Sequence, residues 1–170
     1  MDKGVLFKSI IISILVGLLG GCAKPTNLCN YDLKYGSICS QAQEKQLQKL
    51  IRKRGIQISY LGDGIYVVVP SRQLFYAKTA NLSAASISTL NLVAKFLACY
   101  QKITVSVIGF SNECDAKQAN INFARSRAQR VAKELWRRGS NARLVYAKGR
   151  SAATDNDWGN RVEIITKRLP

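Results

Sequence analysis

Five cysteines and a large excess of arginine and lysine are the residues of this sequence whose chemistry can be argued first, because no histidine occurs in its 170 residues. Without imidazole, histidine-based triads, two-histidine metal sites and near-neutral proton shuttles are excluded. A nucleophile would need lysine or a carboxylate as its base, and the serines and lysines show no spacing that joins them in that way. The sequence therefore predicts no enzyme and implies no cofactor. The cysteines include no Cys-x-x-Cys pair, which disfavours zinc and leaves disulfides or thiol modification. Twenty-six Lys+Arg against ten Asp+Glu give a net charge of +16. Such a charge invites nucleic acid, an anionic lipid surface or an anionic cell wall as partner. No stacking platform of aromatics lies among the basic residues, so no nucleic-acid partner is expected.

Compartment is set by the first residues. Lys3 and Lys8 precede the apolar run Ile10 to Leu19, which ends in small residues before Cys22. A stretch of about a dozen apolar residues is too short to span a bilayer and reads as a secretory leader. Leu19-Gly20-Gly21-Cys22 further resembles the bacterial lipobox, in which signal peptidase II cuts before a cysteine that then receives acyl chains. Lipidation at Cys22 is thus expected, fixing the protein to a membrane leaflet. Among such lipoproteins an aspartate after the cysteine favours the inner membrane. Ala23 stands there, which implies a lipid anchor in the outer membrane facing the periplasm. Four cysteines remain in an oxidising compartment: Cys29, Cys39, Cys99 and Cys114. They allow three pairings, of which Cys29 with Cys39 closes the shortest loop and is the expected disulfide. Cys99 and Cys114 flank a strand whose length holds its ends apart, so their state is left open.

The elements that must position any site can be read from periodicity and punctuation. Residues 1–21 form the leader, 22–41 a lipidated tether without periodicity, and 42–170 the domain. Ser40 caps a helix to Arg54 with Leu47, Leu50 and Ile51 on one side. Strands at 56–60 and 65–69 flank the hairpin turn Leu61-Gly62-Asp63-Gly64. Ser83 caps a helix to about Ala98 whose stripe is Ile87, Leu90, Ala94 and Leu97. A β-branched strand covers 103–110. A second long helix runs over about 116–138 with Ile121, Ala124, Ala128, Val131 and Leu135 inward and Gly139 as its stop. Strands at 143–147 and 161–167 follow. The order describes an α/β sandwich of the α+β kind, a mixed β-sheet with two main helices on one face.

Within this frame certain residues form a pattern: Leu74-Phe75, Leu82-Ser83, Gly109-Phe110-Ser111-Asn112, then Asn120-x-x-Phe123-Ala124-x-x-Arg127-Ala128, then Gly159-Asn160-Arg161-Val162-Glu163. It resembles the OmpA-like peptidoglycan-binding domain over about residues 56 to 168. The 15-residue step from Asn112 to Arg127 equals the family's spacing between its ligand-binding aspartate and arginine. The resemblance implies peptidoglycan as partner, gripped at the free end of a diaminopimelate side chain, with Arg127, Asn112, Ser111, Asn120 and Arg161 as ligand-binding residues. A guanidinium holds a carboxylate bidentately, and a fixed carboxylate holds an ammonium. On a helix of about 100° per residue Arg127 and Asn120 lie within about 20° of each other, at the margin of the apolar stripe. Arg130, Lys133 and Arg137 point to solvent. A margin position implies little contribution of Arg127 to the core. Asn112 replaces the family's acid, and Glu113 or Asp115 in the same loop can supply the missing charge. The segment 45–70 further resembles the small OmpA-like lipoproteins of Dot/Icm type IVB secretion systems, implying secretion-system proteins as partners. Two functions follow: a lipid-anchored peptidoglycan binder, or a structural subunit of a secretion apparatus with a degenerate site.

Overall fold

The computed structural model describes residues 37–140, 142–152 and 159–169; the expected leader, Cys22 and Cys29 lie outside them. Helix α1 spans Gln41–Lys53 and opens on a capping box: the Ser40 hydroxyl accepts from the Gln43 amide, and the Gln43 side chain accepts from the Ser40 amide. Strands β1 (Gln57–Leu61) and β2 (Gly64–Pro70) form the expected hairpin, with Leu61 paired to Gly64 across the two-residue turn. A 3₁₀ turn at Ser71–Gln73 leads towards α2 (Ala84–Ala98), capped by Ser83. Strand β3 (Ile103–Ser111), helix α3 (Lys117–Arg137), β4 (Ala142–Ser151) and β5 (Arg161–Arg168) complete the domain.

The five strands lie in the order β1-β2-β5-β3-β4, antiparallel except for β3 with β4, which α3 connects. A parallel pair needs such a crossover, and a helix is its usual form. The mixed sheet and the helices packed on it match the predicted α+β sandwich. Two glycines decide how low α3 sits. Gly109 and Gly149 are register partners on β3 and β4. A Cβ on the first would overlap the carbonyl oxygen of Ala124, and one on the second that of Ile121. Only glycine lets the helix backbone approach this closely, and that depth brings Asn120 and Arg127 down towards the end of β3.

Helix α2 departs from the expected stripe. Leu90, Ala94 and Leu97 are buried, but Ile87 is 52% exposed, while Val93 and Phe96 enter the core. The buried arc centres near Val93, about 120° round the helix from Ile87. A stripe drawn from i, i+3 and i+7 steps alone ran along one edge of that arc.

The expected Cys29–Cys39 disulfide is overturned: Cys39 is bonded to Cys99, with Cα atoms 5.0 Å apart. Ser37 bridges antiparallel to Tyr100, and the Ile38 amide donates to the Cys99 carbonyl at 2.6 Å. Residues 37–39, within the expected tether, are thereby laid along the end of α2, which sets the two sulfurs together. Cys114 is a free thiol.

A second tie holds α1. Its one acidic residue, Glu44, is turned inward and accepts from the Tyr60 and Tyr100 hydroxyls and the Gln48 amide. Gln48 also donates to the Tyr60 hydroxyl at 2.6 Å. Burial, more than the charge of Glu44, pushes the Tyr60 phenol up to about 12, and burial raises Tyr100 as well. A phenol whose folded pKa is raised binds its proton more tightly when folded. Its contribution is therefore whole below the unfolded value of about 10 and is lost as pH climbs towards 12. In urea titrations across that window, Tyr60→Phe is expected to lose stability less steeply than the parent protein. Equal slopes would remove this network from the account.

Candidate ligand-binding site

Arg127 stands on α3 one turn after Phe123, and the i, i+4 relation lays its guanidinium over that ring at 4.2 Å. The Phe75 ring flanks it at 5.0 Å. Nε donates to the Thr79 carbonyl at 2.9 Å, and the two terminal nitrogens form a fork onto the carboxylate of Glu113, Nη1 to Oε1 and Nη2 to Oε2. The residue is 2% exposed. Its position at the margin of the helical stripe was read correctly, but margin does not mean solvent here, because the segment from Phe75 to Thr79 runs across it. The expectation that Arg127 adds little to the core is corrected accordingly.

Glu113 is held where it is by its own loop. The Ser111 hydroxyl, fully buried, accepts from the Glu113 amide at 3.2 Å. The Asn160 side chain accepts from the Asn112 amide at 3.1 Å. Asn120 takes both backbone groups of Cys114, accepting from its N–H at 2.9 Å and donating to its C=O at 2.6 Å. Three consecutive backbone amides are thus fixed by three side chains, which is how a loop without regular structure becomes rigid. The carboxylate at its tip faces a cleft of about 290 Å³ lined by Ser71, Arg72, Phe75, Lys78, Glu113 and Arg127 among others.

Of the five residues expected to bind ligand, Arg127 alone lines this cleft. Ser111 and Asn120 brace the loop behind it. The Asn112 amide nitrogen lies against Gly159, where a Cβ would stand 3.0 Å away. Arg161 on β5 is stacked on Phe110 at 3.8 Å and bonded to Glu163 at 2.7 Å. The acid that meets Arg127 is Glu113, one residue beyond the position that the family spacing selects, and Asp115 is exposed. Sequence reasoning named Glu113 only as a reserve and missed Ser71, Arg72, Lys78, Thr79 and Asn160. Ser71 and Arg72 lie in the 3₁₀ turn and the others in loops, where no periodicity marks a residue's direction.

Residues 74–163, just over half of the chain, match the pattern of the OmpA family. The chain belongs to the OmpA family. The matched span opens at Leu74, closes at Glu163 and contains the cleft described above, except for its first wall at Ser71 and Arg72. A probable lipoprotein, YiaD, of Escherichia coli K12 is 31% identical over 136 residues, 75% of this chain. The chain spans 62% of that relative's length. The same fold occurs in the cell wall anchor of the T6SS from Pseudomonas aeruginosa, at 23% identity with a TM-score of 0.59, covering 74% of this chain and 96% of that one. It occurs too in a putative MotB-like protein from Desulfovibrio vulgaris, 17% identical, TM-score 0.63, covering 75% and 91%. The OmpA fold of this chain is thereby placed beside solved examples.

Proposed function

We propose that this protein is an outer-membrane lipoprotein, acylated at Cys22 and facing the periplasm, whose OmpA domain binds peptidoglycan non-covalently. The observation that carries the reading is the Glu113–Arg127 pair, held without slack at the rim of a cleft large enough for the end of a diaminopimelate side chain. A charged ligand is recognised by charges held in place, and Arg127 holds the Glu113 carboxylate at the cleft before the ligand arrives. The family of the domain, the lipobox and the strongly basic balance point the same way. The finer role, anchoring a type IVB secretion apparatus to the wall, rests on the resemblance of residues 45–70.

Sedimentation with purified sacculi tests the binding. The protein should pellet with sacculi at micromolar concentration and be released by free meso-diaminopimelate. Cys22→Ala should abolish palmitate incorporation while leaving sacculus binding by the domain intact. Undiminished label in that variant, or a wild-type protein that stays in the supernatant, would each remove one half of the proposal.

A second reading has an observation of its own. Arg127 is 2% exposed, and each of its three nitrogens is bonded within the protein, to Glu113 or Thr79, so the pair is satisfied without a ligand. A structural subunit of a secretion complex, its site closed on itself, would have this arrangement. Failure of the wild-type protein to bind either sacculi or diaminopimelate favours that reading.

A further inference from the structure

The two ends of the sheet differ in surface, and the chain enters the domain at the end away from the cleft. Glu113 and Arg127 meet beyond the last residue of β3, Ser111, whereas Ser37 is bridged to Tyr100 just before its first, Ile103. The nine residues of β3 hold those ends about 26 Å apart. A lipid tether therefore leaves from the far end, and the chain from Cys22 to Ser37 reaches at most about 50 Å. That end exposes large apolar side chains: Leu61 is 69% exposed, Trp136 58% and Ile38 57%. Leu61 is brought there by its pairing with Gly64, which pairs in turn with Lys167. Trp136 is brought there because α3 passes through Gly139 into β4 at Ala142, the register partner of Ile103. Beside these groups stand Lys102, Lys167 and Arg168, all exposed and none in an ion pair among the described residues. Lys102 and Arg168 line a hollow of about 490 Å³ with Asp63 and Leu169. Tryptophan and aliphatic side chains set among cations are the composition that suits a boundary between acyl chains and anionic headgroups.

The geometry points to this end of the domain as a docking face for a phospholipid leaflet that carries anionic headgroups. Lys102, Lys167 and Arg168 meet the phosphates, while Trp136, Leu61 and Ile38 enter the boundary of the acyl chains. The inference rests on the reading of Cys22 as an acyl anchor, which puts a leaflet within reach of the face. Docking stands the domain upright, with the Glu113 cleft turned away from the membrane.

The chain has two tryptophans, so Trp158→Phe makes Trp136 the reporter. The full-length variant is reconstituted into vesicles of phosphatidylethanolamine, with or without phosphatidylglycerol, whose brominated acyl chains quench indole emission. With phosphatidylglycerol, Trp136 emission should be quenched and shifted to the blue. Both effects should fall away without it, or in about 1 M salt, where the screening length is about 3 Å. Each cation at an anionic surface contributes about fivefold in partition, so Lys102→Asn with Lys167→Gln and Arg168→Gln should lower the ratio of docked to undocked domain about a hundredfold. Asparagine tolerates the left-handed backbone at 102, φ 52°. Lys117→Gln with Lys148→Gln and Arg150→Gln removes the same charge from exposed positions towards the cleft end and should leave the quenching in place. Equal losses in the two triple variants, or palmitoylated protein that floats with the vesicles while Trp136 stays unquenched, overturn the inference and spare the anchor. Quenching in protein that carries no palmitate does the reverse. Neither flotation nor quenching overturns both. Blue-shifted emission before vesicles are added, in protein that sediments as a dimer, gives the face to a second copy and overturns the inference.

Discussion

Arg127→Ala is expected to destabilise the domain by about 3 to 5 kcal/mol, the usual cost of removing one member of a buried, hydrogen-bonded ion pair. The pair qualifies because its two side chains are only 3% and 19% exposed. Alanine would strand the Glu113 carboxylate in a loop whose amides are already fixed, leave the Thr79 carbonyl without its donor, and open a hole between the Phe75 and Phe123 rings. Arg137→Ala on the same helix is the control for charge. Its side chain is 70% exposed and its contact with Glu134 spans 3.5 Å, so a change within about 0.5 kcal/mol is expected. Urea unfolding of both variants gives the comparison. If Arg127→Ala costs less than about 1 kcal/mol, the guanidinium is not the keystone described here. The loss must also be separated from loss of binding: a sacculus assay on Arg127→Ala reports function only under conditions where the variant is shown to be folded.

Where residues carry their own local signal, the sequence was readable. Ser40 and Ser83 announce the starts of α1 and α2 because an N-cap is a local hydrogen bond, and each is made. The hairpin turn, the β-branched strand β3 and the length of α3 are local in the same sense. The step from residue 112 to 127 points to the loop and the arginine that the structure brings together. It does not single out the acid that pairs with that arginine, since the choice between Asn112, Glu113 and Asp115 depends on a turn whose geometry is set by Asn160 and Asn120, 48 and 6 residues away. The burial of Arg127 was hidden for a related reason. A helical wheel places it correctly at an edge, but the segment 75–79 that covers this edge has no period to announce its path. Lys78 reaches the cleft from that segment, and Ser71 and Arg72 from a 3₁₀ turn too short to show a period.

The disulfide shows this limit at its widest and gives the second large effect. Pairing by shortest loop favoured Cys29 with Cys39, whereas the bond joins Cys39 to Cys99 across a sequence separation of 60. A cross-link over a loop of that size removes chain entropy from the unfolded state worth about 4 kcal/mol in the simplest account, more than a short bridge within a tether would give. It also ties the segment before α1 to the buried end of α2, in register with the Ile38–Cys99 backbone bond. Replacing both Cys39 and Cys99 by alanine, so that no thiol is left unpaired in the core, is expected to lower the urea midpoint by an amount equivalent to about 3 to 4 kcal/mol. The dependence on urea should steepen as well, because the uncrosslinked chain exposes more surface when it unfolds. Non-reducing peptide mapping of periplasm-derived protein should recover the Cys39 and Cys99 peptides joined, with Cys114 open to alkylation. Recovery of Cys39 joined to Cys29 would restore the short-loop pairing and would leave α1 held to the domain by its buried Ile51, the Arg52–Ile58 hydrogen bond and the network of Glu44, Tyr60 and Tyr100.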